Sequence, residues 1–404
     1  MKTLIDIIGK NGFFCDGDWI EKKDQDQNGE IRLIQLADIG DGVFKDKSAK
    51  FITEATAQRL HCTAIQKGDI LIARLPDPLG RACIFPLSGK YITAVDVAIL
   101  HIENHAIDTS YIMHMINSHM FRKQIAEYQS GTTRKRISRK NLEKIKFEIP
   151  TLGEQQRIVA RIEELFSELD NGVETLKKIK QQLVVYRQAV LKEAFSNISE
   201  RDYRPLQSVM LKTPQNGLYK PKSLYGEGTK ILRIDGFYDG QIIPNYDYKR
   251  VKLDAEEITK YALHVGDIIV NRVNSMSYLG KCALIRNLDE LTVFESNIMR
   301  FRLDEEKINL EYAIHYLASS FGRDELIKNA KQAVNQASIN QTDVGNALIA
   351  IPDNLKIQEK IVRIISSRLS VCDSIEKTVD NALAKAEAMR QSILKKAFEG
   401  GFSE

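Results

Sequence analysis

The chain is written twice. Lys67-Gly68-Asp69-Ile70-Leu71-Ile72-Ala73-Arg74 returns as Val265-Gly266-Asp267-Ile268-Ile269-Val270-Asn271-Arg272, placing Gly68 and Gly266 198 residues apart. Asp41-Gly42 and Asp239-Gly240 keep that offset. Leu79-Gly80-Arg81 and Leu279-Gly280-Lys281 stand 200 apart, and Ile149-Pro150 and Ile351-Pro352 stand 202 apart. Arg187-Gln188-Ala189-Val190-Leu191-Lys192 and Arg390-Gln391-Ser392-Ile393-Leu394-Lys395 stand 203 apart. An offset that grows smoothly in chain order marks a duplicated unit with small insertions, so one fold must serve both halves.

Each half has two textures. Residues 1–150 and 203–352 mix short β-rich runs after Gly-Asp turn signals with a helical stretch, Tyr111–Tyr128 and its mirror near Leu310–Lys328. These are expected to be α+β globular units. Residues 154–195 and 357–398 contain no Pro, and Gly only at Gly172. Apolar side chains at Ile158, Ile162, Leu165, Leu169, Val173, Leu176, Ile179, Leu183, Tyr186 and Val190 recur about every 3.6 residues, the period of an amphipathic helix. The second copy reads Ile361, Ile365, Leu369, Cys372, Ile375, Val379, Leu383, Ala386, Met389 and Ile393. Pro150 and Pro352 hold the chain extended just before each helix. Roughly 40 residues rising about 1.5 Å each make a rod of about 60 Å. A lone rod would expose its stripe, so the two helices are expected to pack on each other. A two-fold relation between the repeats makes that pair antiparallel, with one globular unit at each end.

Composition removes several classes. With 404 residues, 43% apolar and 28% charged, the chain suits two or three soluble units rather than a disordered or fibrous protein. Apolar runs are too short for a membrane span, and Met1-Lys2-Thr3-Leu4 has no signal-peptide pattern. Cys15, Cys62, Cys83, Cys282 and Cys372 are scattered, without a Cys-x-x-Cys pair, and a reducing cytoplasm is the expected setting. Residues 1–200 carry 29 basic and 27 acidic side chains, half of the 58 and 54 in the whole chain, so any nucleic-acid footprint must be local. Catalytic signatures are missing. None of the nine Pro adjoins another, which excludes an Asx-Pro-Pro-aromatic methyltransferase motif, and Gly89-Lys90 is followed by Tyr91, not Ser or Thr. Gly226-Glu227-Gly228 lacks a third Gly, and His101-Ile102-Glu103-Asn104-His105 has its Glu in the wrong place for a zinc helix. No catalytic or metal residues are assigned.

Glu154-Gln155-Gln156-Arg157-Ile158-Val159 after Ile149-Pro150, and Tyr186-Arg187-Gln188-Ala189-Val190-Leu191-Lys192 with Ala194-Phe195, resemble the central helical region of type I restriction-modification specificity subunits. Arg390–Gly400 resembles the family's distal helical region. The second helix departs at Asn354-Leu355-Lys356-Ile357-Gln358-Glu359, which lacks the Glu-Gln-Gln form. The resemblance spans the chain and implies a first target-recognition domain at 1–152, a central coiled-coil helix at 153–198, a second recognition domain at 199–353 and a C-terminal coiled-coil helix at 354–404, with pseudo-two-fold symmetry. It also implies a non-catalytic subunit whose domains each read half of a split sequence in double-stranded DNA. Two methyltransferase subunits would dock on the helices, and a restriction subunit would join for cleavage. S-adenosylmethionine, ATP and magnesium would belong to those partners.

On that reading, DNA contacts are expected where donors cluster. Residues 131–146 hold seven basic side chains against the single acid Glu143. Thr132, Thr133, Arg134, Lys135, Arg136 and Arg139 suit phosphate, and Arg also suits a guanine edge. The aligned stretch Lys331–Ser338 is rich in amides, and Asn335 and Gln336 suit adenine. Tyr219, Lys220 and Lys222 form an aromatic-basic loop that resembles one found in such domains. Arg74 and Arg272 recur, as a phosphate contact or as an ion pair with Asp69 and Asp267; Arg81 and Lys281 keep a cation at one equivalent position. Lys22 and Lys23 lie among acids and are poorer candidates. Trp19 is read as a core residue or loop anchor.

Leu183-Val184-Val185-Tyr186 spreads apolar surface around most of the helix, more than one seam covers. Val184 or Val185 should therefore face something else; the resemblance implies a methyltransferase subunit there, with Arg187 and Gln188 of the family motif, and packing on a recognition domain is the alternative. Two other readings of the whole chain are an autonomous DNA-modifying enzyme and a coiled-coil adaptor without a DNA role.

Overall fold

Gly68 and Gly266 adopt φ of 99° and 88°, a region glycine enters without a Cβ clash. The following carboxylate then closes the turn. Asp69 accepts the Gln66 N–H at 2.7 Å, and Asp267 accepts that of His264 at 2.8 Å. Each turn launches a strand, Ile70–Ala73 or Ile268–Asn271, buried along its whole length. A strand covered on both faces needs an unbroken apolar run, which is why no alternation shows in its sequence.

The computed structural model describes residues 1–76, 78–132, 134–196, 198–199, 202–334 and 336–399. Two compact units form: Met1–Lys177 with the chain from Asp380 onward, and Lys178–Val379. The first unit holds a four-stranded sheet in the order Phe13–Asp16, Val97–His101, Ile70–Ala73, Ala82–Ile84, with antiparallel pairing throughout. A second sheet places Ile31–Ile34 between Lys50–Ile52 and Tyr91–Thr93, the latter pairing parallel. The second unit repeats both sheets. Gln215–Asn216, Ile298–Phe301, Ile268–Asn271 and Cys282–Leu284 make the first, and Tyr225–Leu232 between Lys249–Val251 and Thr292–Phe294 makes the other. Register repeats too: Ile70 faces Leu100 where Ile268 faces Phe301. Ile70 and Ile72 join the core beneath the helices, while Leu71 and Ala73 join a second core between the sheets.

The expected helix at Tyr111–Tyr128 is two helices, Thr109–Asn117 and His119–Tyr128, and its mirror is Leu310–Ala318 and Ser320–Ile327. Ser118 and Ser319 make the break. Each hydroxyl donates to the carbonyl three residues back, Met115 or Tyr316, and accepts from the new helix, so each serine ends one helix and caps the next.

The long helices are Leu152–Phe195 and Leu355–Phe398, 44 residues each. A buried glutamine locks the start of each one. Gln155 accepts from Asp108 N (2.8 Å) and donates to Ala106 O (3.1 Å) and Pro150 O (3.0 Å). Gln358 accepts from Asn309 N (2.8 Å) and donates to Lys307 O (3.3 Å) and Pro352 O (2.8 Å). The apparent departure of the second helix from the Glu-Gln-Gln form therefore spares the residue that carries the clamp.

Within each unit the two helices run antiparallel. In the first, Ile162 packs on Leu394 and Ala397, while Asp170 pairs with Arg390. In the second, Arg187 meets Glu376 (3.0 Å) and Asp373 (2.6 Å), and Glu193 meets Arg368 (2.6 Å). Numbers rise on one helix as they fall on the other. The seam is narrower than the apolar series implied. Tyr186, Ile375 and Met389 are exposed. In the first unit, Leu165, Leu169, Val173 and Leu176 line a cleft of about 620 Å³ together with Ala382, Ala386, Met389 and Ile393.

Candidate nucleic-acid interface

In the first unit the basic cluster is the tip of a tight hairpin. Ser130 and Arg136 exchange two backbone bonds of 2.9 Å, and Gly131 turns the chain at φ 90°. Thr132, Arg134, Lys135 and Arg136 are exposed, and among the described residues none of the three cations has an ion-pair partner. Thr133 lies outside the described residues. Three like charges without counterions make a surface that attracts a polyanion. Arg139 is different: its guanidinium donates to Phe14 O at 3.3 Å, pairs with Glu143, and lies 3.5 Å from Asp16. It roots the hairpin on the sheet.

In the second unit the equivalent hairpin is Lys331–Ala333 with Gln336–Ser338, to which Val273–Asn274 adds a third strand. Ile137 N donates to Arg74 O, and Ile339 N to Arg272 O, so both hairpins attach at the same point of the repeat. Gln336 is exposed, and Asn335 lies outside the described residues.

Arg74 and Arg272 share a structural contact, though not the ion pair considered above. Arg74 donates to Val95 O and Arg272 to Ser296 O (3.0 Å), the same turn in each unit. Asp69 instead pairs with His101 (2.7 Å) and Asp267 with Arg302 (2.6 Å), on the neighbouring strand. Burial pushes the Arg272 guanidinium below its ordinary range. Arg81 is half-buried, with its Nε covered and unbonded. Lys281 sits 4.4 Å from the rings of both Tyr238 and Tyr278, and burial lowers its affinity for a proton. Such a cation is held by ring faces as well as by solvent.

The loop after the first strand is the largest surprise. Tyr219 is 80% exposed and Lys222 is exposed, but Lys220 is held by Glu257 at 2.5 Å. Trp19, expected in the core or as an anchor, is 70% exposed. Of the acids around it, three have partners from farther along the chain: Asp16 lies 3.4 Å from Arg74, Asp18 accepts Thr63 N at 3.0 Å, and Asp24 pairs with Arg59 at 2.6 Å, whereas Glu21 and Asp26 stay exposed. Sequence counts all those acids against DNA; the fold buries Asp24 and half-buries Asp16 and Asp18. The spacing of Gly17 and Gly217 was the available signal for this loop.

On the helices, Val184 and Val185 are 60% and 70% exposed, as the apolar run implied. Arg187 does not face outward; it lies in the helix seam, bonded to Asp373 and Glu376. Gln188 is half-buried and lines a cleft of about 260 Å³ with Lys281 and Arg323. Ile357, Ile364 and Val371, missed in sequence, form an exposed apolar row at seven-residue steps. His101, the first His of the rejected zinc pattern, stacks on Phe13 at 5.1 Å. Among the described residues no group of three or more His, Cys, Asp or Glu is placed to hold a metal, and no helix is long and apolar enough to cross a membrane.

The model of the type I restriction modification DNA specificity domain matches residues 6–183 and again residues 210–385. The chain belongs to that family. Two copies of the specificity domain account for the internal repeat. Among curated relatives, the StySPI specificity subunit of Salmonella potsdam is 32% identical over 73% of this chain and 65% of its own length. The EcoKI specificity subunit of Escherichia coli K12 is 29% identical over 73% of this chain and 66% of its length. The chain thus spans just under two thirds of these relatives. A solved chain from work on complex assembly and conformational transition of the type I R-M system shares the fold, with a TM-score of 0.67 at 17% identity, over 98% of this chain and 96% of that one.

Proposed function

We propose that this specificity-family chain directs a type I restriction-modification complex to a bipartite DNA target. Each specificity domain reads one half-site, and the paired helices set the spacing and dock the methyltransferase subunits. The observation that carries this reading is the hairpin pair, attached at the same backbone carbonyl: one copy bears Arg134, Lys135 and Arg136 without ion-pair partners among the described residues, and the other bears Gln332 and Gln336 with the single cation Lys331. Arg and Lys favour phosphate and guanine, whereas Gln favours adenine, so the half-sites differ and the whole target is not a palindrome. S-adenosylmethionine, ATP and magnesium belong to the partner subunits, and this chain makes no bonds itself.

Val184 and Val185, with the row Ile357, Ile364 and Val371, offer apolar surface of the kind a stable partner covers. The test is reconstitution with methyltransferase subunits and S-adenosylmethionine, followed by mapping of modified bases. One split sequence with unlike halves is expected. Methyl transfer by the chain alone, or identical halves, would overturn the reading. Val185→Glu should leave thermal stability unchanged, because the side chain is already in solvent, and should weaken assembly at least tenfold; unchanged assembly removes Val185 from the interface.

A further inference from the structure

Trp19 and Tyr219 occupy the same place in the two copies, although their neighbours are unlike. Gly17 N donates to Val97 O (2.8 Å), and Gly217 N donates to Ile298 O (2.9 Å). The next residue forms a parallel bridge in each case, Asp18 with Ala94 and Leu218 with Glu295. A 3-10 turn follows at the same distance, Lys22–Asp24 and Lys222–Leu224. Any Cβ at Gly17 would lie 2.3 Å from Ala94 O, and one at Gly217 would lie 2.2 Å from Glu295 O, so only glycine lets the loop pass. The backbone is thereby pinned on one side, and the residue two positions on stands in solvent.

One exposed aromatic needs no explanation. Two of them at one pinned position, 70% and 80% exposed, do. Trp19 has a single long contact, Nε1 to Glu21 at 3.5 Å, and Tyr219 has no side-chain partner among the described residues. Neither ring contributes to the fold. Each loop is also rooted where the hairpin is rooted. Arg139, just past the first hairpin, donates to Phe14 O, and Gln341, just past the second, donates to Pro214 O, each acceptor three residues before the loop glycine. In both copies the chain just past the hairpin is thus bonded to the segment that leads into the aromatic loop.

We propose that Trp19 and Tyr219 are specificity-supporting DNA contacts, each laying its ring against the base edges and deoxyribose of its own half-site. This rests on the reading that the chain binds duplex DNA. A ring so placed gains apolar contact with base edges, such as a thymine methyl, and with deoxyribose, while the hairpin supplies charge or amide donors.

Trp19 is the sole tryptophan among 404 residues, which gives a direct probe. The chain labelled with 5-fluorotryptophan, assembled with unlabelled methyltransferase subunits, shows one fluorine resonance. That resonance should stay put on assembly and move when the mapped target duplex is added. In anisotropy titrations with labelled duplex, Trp19→Ala and Tyr219→Ala should each weaken binding about tenfold, with Phe at either position restoring most of it. Scrambling the first half-site should abolish the Trp19→Ala effect and preserve that of Tyr219→Ala. Unchanged thermal midpoints would verify that both variants fold. A resonance that shifts on assembly and not on DNA addition places Trp19 on the protein partner and overturns the proposal. So does tight duplex binding with an unmoved resonance and an indifferent Trp19→Ala, an outcome that leaves the DNA-recognition reading intact. Failure of the wild-type complex to bind any duplex sinks both.

Discussion

Phe195 and Phe398 end the same motif, Leu-Lys-x-Ala-Phe in one copy and Leu-Lys-Lys-Ala-Phe in the other, and sequence alone predicts equal importance. Their surroundings differ. Phe195 is 1% exposed and meets Tyr312 and Tyr316 edge-on, at ring distances of 5.5 and 5.1 Å. Phe398 is half-buried, packs on the rim of the core and on the helix seam, meets the Tyr111 ring at 5.2 Å, and lines an open groove of about 740 Å³. Truncating a fully enclosed phenylalanine costs about 3–5 kcal/mol, because it loses transfer energy and leaves a cavity that its neighbours fill only partly. A half-covered ring beside an open groove loses about half the contact and leaves no closed void, so about 1–2 kcal/mol is expected. Phe195→Ala should therefore speed exchange of the most protected amides in Tyr312–Leu317 on the order of a thousandfold, and Phe398→Ala should speed those in Tyr111–Ile116 by about tenfold. Hydrogen exchange with mass spectrometry reads each unit separately. Equal losses in the two units, or a larger one for Phe398→Ala, would refute the argument that local enclosure decides the cost.

Replacing Arg134, Lys135 and Arg136 together with Gln should flatten the plot of log affinity against log salt by up to about 3, since each phosphate contact contributes about 0.9 to the slope; an unchanged slope removes the hairpin from the DNA backbone. Gln155→Leu and Gln358→Leu each orphan one N–H and two carbonyls in matched positions, so both should destabilise their units by a similar amount, about 2–4 kcal/mol, in urea titrations. Burial lowers His114 and His315 to about 4. The unfolded chain takes up protons near pH 6.5 while the folded chain resists, so the stability these groups confer is complete above pH 6.5 and is lost as pH falls toward 4. Replacing both with Leu should shrink the stability difference between pH 7.5 and 4.5 by roughly 2 kcal/mol per histidine; an undiminished difference would mean neither is held neutral.

Much of the architecture is legible because it depends on local rules. The repeat offsets, the Gly-Asp turns before Ile70 and Ile268, and the 3.6-residue periodicity each follow from backbone chemistry within a few residues. The helix break at Ser118 was missed because a serine inside an apolar stretch reads as a tolerated polar residue until its two hydrogen bonds are seen. The site was harder. Arg134, Lys135 and Arg136 were visible as charge, but charge alone does not say which guanidinium is free. Arg139, Arg187 and Lys220 look equally cationic and are tied to Glu143, Asp373 and Glu257.

The order of amino acids thus determined the duplication, the strand and helix types and the antiparallel pairing, since these need only periodicity, turn stereochemistry and a consistent repeat. The tertiary fold alone decided which polar groups are used up. It gave Asp16, Asp18 and Asp24 partners from farther along the chain and left Trp19 in water, although these residues lie within nine positions of one another. A side chain's exposure depends on partners brought from Arg74, Thr63 and Arg59, and distance along the chain carries no record of that meeting.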